Sequence, residues 1–452
     1  MHAIWAVAKN TIKQALRMKV AVVFIILLLI LLPVMGSVMT GDGTIMGRLQ
    51  TFISYSLSLV SLLLCLLTIV VSIYSITSDL DKRQVYTVLT KPIRRFEFIF
   101  GKLLGILILD AVLLSLFAGM VYGVAVYIPK YFDAKPAEIA VLDNEFFTAR
   151  AGLKPVEPDV TKEVQAAYAE LESNRKLPAG VPKEQVISKL TYDHKAWKRA
   201  AVPGQQLLWR FENVKPVDPE QSLFLRFKYE VSSGHFNTNI HSRWFVGDDR
   251  QFGGKIETPV YPFERRDIIR NFHEIEVPAD AVAEDGYVAV GFINMPVNNT
   301  TVIFEEKDGL ELLYKADTFT ANFIRSVILI YLRLVFLACM GILSATFLSF
   351  PVAIMLCLLV FFTGTVSTFV IDSFGYLSDN MSGIYSFTVK PIVQLLPRFD
   401  QVNPAKFLIP ARLLSWTLLV KMTAFMVCIK AVLLVVFALL IFASKEIAKI
   451  II

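Results

Sequence analysis

Apolar residues recur along this chain in six long runs, at 20–40, 51–77, 103–128, 323–348, 350–371 and 418–443. Each is close to the roughly 20 residues an α-helix needs to cross a bilayer, so the pattern predicts a polytopic protein with six transmembrane helices. The runs fall into two blocks of three, 20–128 and 321–444. Ahead of the first block, Trp5, Ala8, Ile12 and Leu16 share one helical face while Lys9, Lys13 and Arg17 step along another. That amphipathic spacing predicts a helix within 1–19 lying in the membrane interface. A competing reading makes 1–19 the leader of a cleaved signal peptide with its apolar core at 20–32, but the leader is long for that.

Polar sequence from 129 to 320 separates the blocks, about 190 residues and so enough for a domain with its own core. Over 129–204 the composition is helical and linker-like, with helices predicted at 160–172 and 183–199 and Pro178 and Pro182 between them. From Gln205 the period becomes two. Leu223, Leu225, Phe227, Tyr229 and Val231 alternate with Phe224, Arg226, Lys228 and Glu230, the pattern of a half-buried strand. Further strands are predicted at 207–214, 240–246, 272–277, 287–294 and 301–304, with turns at Gly247-Asp248-Asp249 and Asp285-Gly286. The expected fold class is an α-helical membrane protein with six transmembrane helices and an α+β insert ending in a jelly-roll-like β-sandwich over 205–316.

Composition agrees with a bilayer as solvent: 55% of residues are hydrophobic, 19% are charged, and the mean hydropathy is +0.56. Cys65, Cys339, Cys357 and Cys428 all fall in apolar runs, so no disulfide framework and no CxxC metal site is present to read. The net charge of +6 sits largely beside the spans, where topology explains it without nucleic acid. Lys9, Lys13, Arg17 and Lys19 precede the first span with no acid among them. The loop 78–102 sets Lys82, Arg83, Lys91, Arg94, Arg95 and Lys102 against Asp79, Asp81 and Glu97. The positive-inside bias places both on the cytoplasmic side of the cell (inner) membrane. An even number of spans then returns the tail, 445–452, to the cytoplasm and puts the insert outside. The loop 372–417 is external on this topology although it carries Lys390, Arg398, Lys406 and Arg412. Pro391, Pro397, Pro404 and Pro410 break it into short pieces suited to partial re-entry into the membrane.

The loop 78–102 is the most informative segment. Gln84 to Thr90 reads as a brief helix with Val85, Val88 and Leu89 on one face, Pro92 ends it, and Phe96, Phe98 and Phe100 are placed to meet the interface. Acidic Asp79 and Asp81, the short helix, Lys91-Pro92, Arg94-Arg95 and then Gly101-Lys102 opening a span resemble the loop between the second and third spans of ABC transporter permeases of the type-2 exporter class. Asp81 and Gln84 stand where that family usually has Glu and Gly. Leu396-Pro397-Arg398-Phe399-Asp400, ahead of the last span, is similar to a Leu-Pro and aromatic-Asp segment of the same permeases. The resemblance implies a coupling helix that docks on a separate ATP-binding cassette subunit, which would bind the ATP and Mg, with no cofactor in this chain. It also implies a second membrane half, supplied by another copy in a homodimer or by a paired permease. Through it, coupling falls to Asp79, Asp81, Lys82, Arg83, Pro92, Arg94, Arg95, Gly101 and Lys102.

No phosphate loop occurs: the pair Gly254-Lys255 is followed by Ile256, so the Mg-binding hydroxyl of that motif is missing. His194, His235, His241 and His273 show no paired metal spacing, and no nucleophile elbow stands out. Asp248 and Asp249 have a weak claim to calcium, and Trp209, Trp244 and Tyr261 a weak claim to stacking on sugars; turn chemistry and core packing are the plainer readings. Asp110, Arg333 and Lys430 fall inside predicted spans, where an ionisable group is a functional candidate that also has bland readings, as interfacial solvation, snorkelling or interhelical pairing. The alternative function is a membrane-anchored protein whose external insert captures a ligand or signals.

Overall fold

The computed structural model describes residues 2–81, 94–157, 159–174, 182–215, 222–232, 239–251, 258–306, 309–374, 396–401 and 403–444. Lys82, Arg83, Pro92, the predicted short helix 84–90, His235 and the tail 445–452 lie outside them. The chain divides into a membrane unit, Met1–Phe147 with Phe319–Ile452, and an insert, Thr148–Thr318.

The membrane unit opens with α1 (His2–Leu16), α2 (Lys19–Val38), α3 (Ile45–Asp81), α4 (Arg95–Tyr131) and the short α5 (Pro136–Glu145). Both α3 and α4 run well beyond their apolar runs. The segment expected as a loop is therefore partly helix, since Ser78–Asp81 ends α3 and Arg95–Lys102 forms the first turns of α4. In α1 the buried face is Ala8, Thr11 and Ala15, while Trp5 and Leu16 of the predicted apolar face stay exposed. Small side chains let another helix come close, so this is the face that packs on protein.

In the insert, β1 (Thr148–Leu153) leads to α6 (Thr161–Ser173) and α7 (Lys183–Lys198). The strands that follow are β2 (Ala200–Ala201), β3 (Gln206–Phe211), β4 (Leu223–Phe227), β5 (Tyr229–Val231), β6 (Asn239–Gly247), β7 (Tyr261–Ile268), β8 (His273–Val277), β9 (Val288–Asn294), β10 (Val302–Phe304) and β11 (Leu310–Thr318). They form three open antiparallel sheets, ordered β1-β11-β4-β8, β2-β10-β5 and β3-β9-β6-β7. The arrangement is sandwich-like without closing. Trp209, Phe227, Trp244, Phe292 and Phe304 interlock at its centre, with Trp244 directly opposite Phe292 across β6 and β9. Strands β1, β2, β7 and β11 were not foreseen, and β1 and β2 fall in the stretch read as helical. β7 carries Pro262 and four charged residues, tolerable because it is an edge strand. Gly286, in the predicted Asp285-Gly286 turn, has φ +78°.

The chain returns to the membrane unit through α8 (Phe319–Phe347), α9 (Phe350–Phe374), α10 (Ala405–Leu408) and α11 (Trp416–Ser444), the last containing a π-helical stretch at Ala424–Ala431. Among the described residues six helices are long and apolar enough to cross a membrane: α2, α3, α4, α8, α9 and α11. α3 and α8 are largely buried among the others, whereas α2, α9 and α11 leave most of their apolar side chains at least partly exposed. A helix hydrophobic on its outward side belongs against lipid or another membrane protein.

Candidate functional site

The two ends of the charged loop are tied together at its stem. Lys102 of α4 is 1% exposed, and its Nζ lies 2.7 Å from Asp79 Oδ2 at the end of α3 and donates to Gln14 Oε1 of α1 at 3.2 Å. An ammonium so enclosed requires an anion beside it, which explains an acid at the close of one helix and a lysine at the start of the next. Gly101 and Gly105 provide the space for α1. A Cβ at Gly101 would stand 2.7 Å from Val7 Cβ, and one at Gly105 would stand 2.7 Å from the Ala8 carbonyl oxygen. Arg95 donates to the carbonyls of Phe442 and Ala443, in the last turn of α11, and Phe98 stacks on Phe442 at 5.9 Å. A cation on those terminal carbonyls caps the helix and complements its dipole. Arg94 is exposed and caps the start of α4, its backbone N–H donating to Glu97 Oε2 at 2.9 Å. α1, α3, α4 and α11 thus converge around the ends of the loop. Asp81 is placed as the last residue of α3, while Lys82, Arg83 and Pro92 lie outside the described residues. Gln14 and the α11 carbonyls escaped sequence reasoning, because a lone Gln and main-chain oxygens carry no local signal.

Of the three ionisable residues singled out within spans, Asp110 and Arg333 both lie near the buried Cys65, while Lys430 lies beside Arg398. Asp110 of α4 is 1% exposed, has Thr68 of α3 beside it, and its Oδ2 has no hydrogen-bond partner among the described residues. Arg333 of α8 donates to Ser61 Oγ of α3 at 3.1 Å and to the Phe399 carbonyl at 2.7 Å. Lys430, in the π-helical stretch, donates to the Leu396 carbonyl at 2.9 Å.

Two of these bonds end on the Leu396–Asp400 motif, which the bundle encloses. The Phe399 N–H donates to the Gly364 carbonyl of α9 at 2.9 Å, its ring is fully buried, and Asp400 Oδ1 accepts from Ser367 Oγ at 2.9 Å. A Cβ at Gly364 would sit 2.6 Å from the Pro397 carbonyl oxygen, so the α9 backbone must be bare where the segment crosses it. Farther along, Asn322 of α8 donates to the Arg412 carbonyl and accepts from the Leu414 N–H, both at 2.8 Å. Non-helical backbone enclosed by helices needs such partners, and this chain supplies them from α8, α9 and α11. Asn322 was missed, although a polar residue at the opening of an apolar run was the available signal.

The chemical candidates of the insert are occupied structurally. Asp248 and Asp285 both pair with Arg250, and Asp249 pairs with Arg210 and accepts from the Tyr287 hydroxyl. Arg250 holds the carboxyls of Asp248 and Asp285 below their ordinary value, while burial first and the Asp249 bond second push Tyr287 up to about 12. Trp209 and Trp244 belong to the core, and the Tyr261 hydroxyl donates to Asp280. Among the described residues no three His, Cys, Asp or Glu side chains converge as a metal set.

Residues 5–138 match the model of the ABC-2 family transporter proteins. The resemblance read from the loop motif is borne out over the stretch from α1 into α5, which includes the Asp79–Lys102 stem and the loop it closes. No curated protein and no solved structure matches the chain.

Proposed function

We propose that this chain is the permease subunit of an ATP-driven ABC exporter, coupled through residues 78–102 to a separate ATP-binding cassette subunit. The observation that carries the reading is the ABC-2 family match over residues 5–138, a stretch that contains the whole loop. Both termini lie in the cytoplasm, the insert lies outside the cell membrane, and a second copy or a paired permease completes the transporter. ATP and Mg bind in the partner subunit. Its closure pushes on the loop, and because the stem ties α3, α4 and α1 to one ion pair, these helices move as a unit against the rest of the bundle.

The test is a pull-down of the full chain, solubilised from its native membrane, with identification of bound protein and measurement of ATP hydrolysis. A stoichiometric phosphate-loop ATPase is expected, lost from the triple variant Lys82→Glu/Arg83→Glu/Arg94→Glu while membrane insertion is unchanged. Arg95 is left intact because it caps α11. Undiminished ATPase binding and stimulation in that variant would remove the loop from the coupling role. A well-behaved wild-type chain without any ATPase would remove the permease assignment itself.

A further inference from the structure

Between the Leu396–Asp400 segment and the first half of α11 the membrane unit has a pocket of about 390 Å³. Its described lining combines three cations, Arg398, Lys421 and Lys430, with apolar Leu418, Met422 and Phe425, and includes no carboxylate. The neighbouring acid, Asp400, is engaged by Ser367. Helix geometry shows that this gathering of cations needs a special backbone. Nine α-helical steps of about 100° would set Lys430 on the opposite face of α11 from Lys421. The wider i→i+5 turns of the π-helix at Ala424–Ala431 rotate less per residue and bring Lys430 round to the same pocket. The π-helix therefore serves the pocket directly, and Lys430 is steadied there by the Leu396 carbonyl and the Phe425 ring, 4.7 Å from its Nζ.

The flank of the pocket is apolar and open. Val420, Phe425 and Ile429 are each more than half exposed on α11, a helix whose outward side belongs against lipid. Lys421 lies in the second turn from Trp416, near the end of the span, so the charged part begins at headgroup depth and continues inward. Basic pockets between membrane helices take lipid phosphates because charge and acyl chain are satisfied together.

We propose that this pocket binds the phosphate of an anionic phospholipid, with Arg398 and Lys421 on the headgroup and Leu418, Met422 and Phe425 along the first acyl carbons. A free phosphate ion would share the cations but gain nothing from the apolar wall. The assignment needs the six-span membrane unit and does not depend on an ATPase partner.

The test is native mass spectrometry of the full chain released from phosphatidylcholine nanodiscs containing a minor fraction of phosphatidylglycerol. Wild type should retain phosphatidylglycerol selectively. Removing each cation should lower that selectivity about five-fold, or about 25-fold for Arg398→Gln/Lys421→Gln. Lys9→Gln/Lys13→Gln, on α1, should keep the retained lipid, separating the pocket from general attraction to basic surface. Displacement of the lipid by millimolar inorganic phosphate would uphold the phosphate site and assign it to a soluble ion. Equal retention by wild type and the pocket variant overturns the proposal. If the pocket variant does not insert, the wild-type competition decides, and no preference for phosphatidylglycerol over phosphatidylcholine overturns it.

Discussion

The membrane unit and the insert use charge in opposite ways. In the membrane unit the charged side chains of the stem and the enclosed segment are wholly or partly buried and fasten separate pieces of chain: Lys102 to Asp79, Arg333 to Ser61 and Phe399, Lys430 to Leu396. In the insert most ion pairs are exposed and stitch neighbouring turns, as Arg250 does with Asp248 and Asp285. The same chemistry therefore carries different weight. A buried pair is severe to break because its survivor is stranded, whereas water takes over when an exposed pair is lost. Within the membrane unit a second distinction follows. The stem joins side chain to side chain, so each partner depends on the other; the enclosed segment is held through its own carbonyls, so its anchors fix a backbone path.

The largest effect should come from breaking the stem on one side. Lys102→Met leaves Asp79 buried beside an apolar chain and should lower stability by about 3–5 kcal/mol. The double variant Asp79→Leu/Lys102→Met removes both charges and should recover most of that loss. Thermal unfolding in detergent measures both, and a double variant no more stable than the single would show that the stem is not a mutually dependent pair. Arg333→Met comes next. Losing a charge-assisted bond to the Phe399 carbonyl should cost about 1.5–3 kcal/mol. It should also loosen the enclosed segment, read as faster tryptic cleavage after Arg398. Unchanged cleavage would mean that Gly364 and Ser367 hold the segment without Arg333.

Gly105→Val asks whether α1 is kept in place by packing or by the Gln14–Lys102 bond. The added side chain meets the Ala8 backbone, which cannot rotate away, and overpacking of this kind costs about 1–3 kcal/mol. Hydrogen exchange in α1 should rise with the loss. Slow exchange retained in α1 would assign its docking to Gln14 and Lys102 alone.

How far the sequence could be read follows from the same contrast. All six spans were visible because the bilayer demands a long, nearly uninterrupted apolar run, and such a run survives any choice of packing. The core strands β3, β4, β6, β8, β9 and β10 were visible because their inward side chains alternate. β1, with Thr148-Ala149-Arg150-Ala151-Gly152, has too little apolar side chain to show a period, and β7 reads as a charged loop because its outer edge faces water. In the candidate site, the residue types were legible and their partners were not. Lys102 and Asp79 stand on either side of the charged loop, and Arg333 reaches Phe399 across 66 residues, so only tertiary structure joins them. The π-helical stretch left no mark at all, since its residues read as an ordinary apolar helix.

The smallest effect belongs to the insert and probes the other half of the contrast. Arg250 holds Asp285 and Asp248 below the ordinary aspartate value of about 3.8. A group whose folded value is depressed binds its proton more readily when unfolded, so its contribution is complete above the ordinary value. That contribution fades as pH falls through the lower folded value. Stability should therefore drop between about pH 4 and the folded values in wild type, and drop less in Arg250→Gln, where the guanidinium is gone and only backbone N–H bonds still favour the two carboxylates. Unfolding followed by tryptophan fluorescence reads it through Trp209 and Trp244 in the insert core. The difference between the two proteins should be far smaller than the effect of Lys102→Met, because Arg250 and Asp285 are open to water while Lys102 is enclosed. A shift as large as that of the stem variant would mean that the Arg250 network, though exposed, governs the insert as the buried pair governs the bundle.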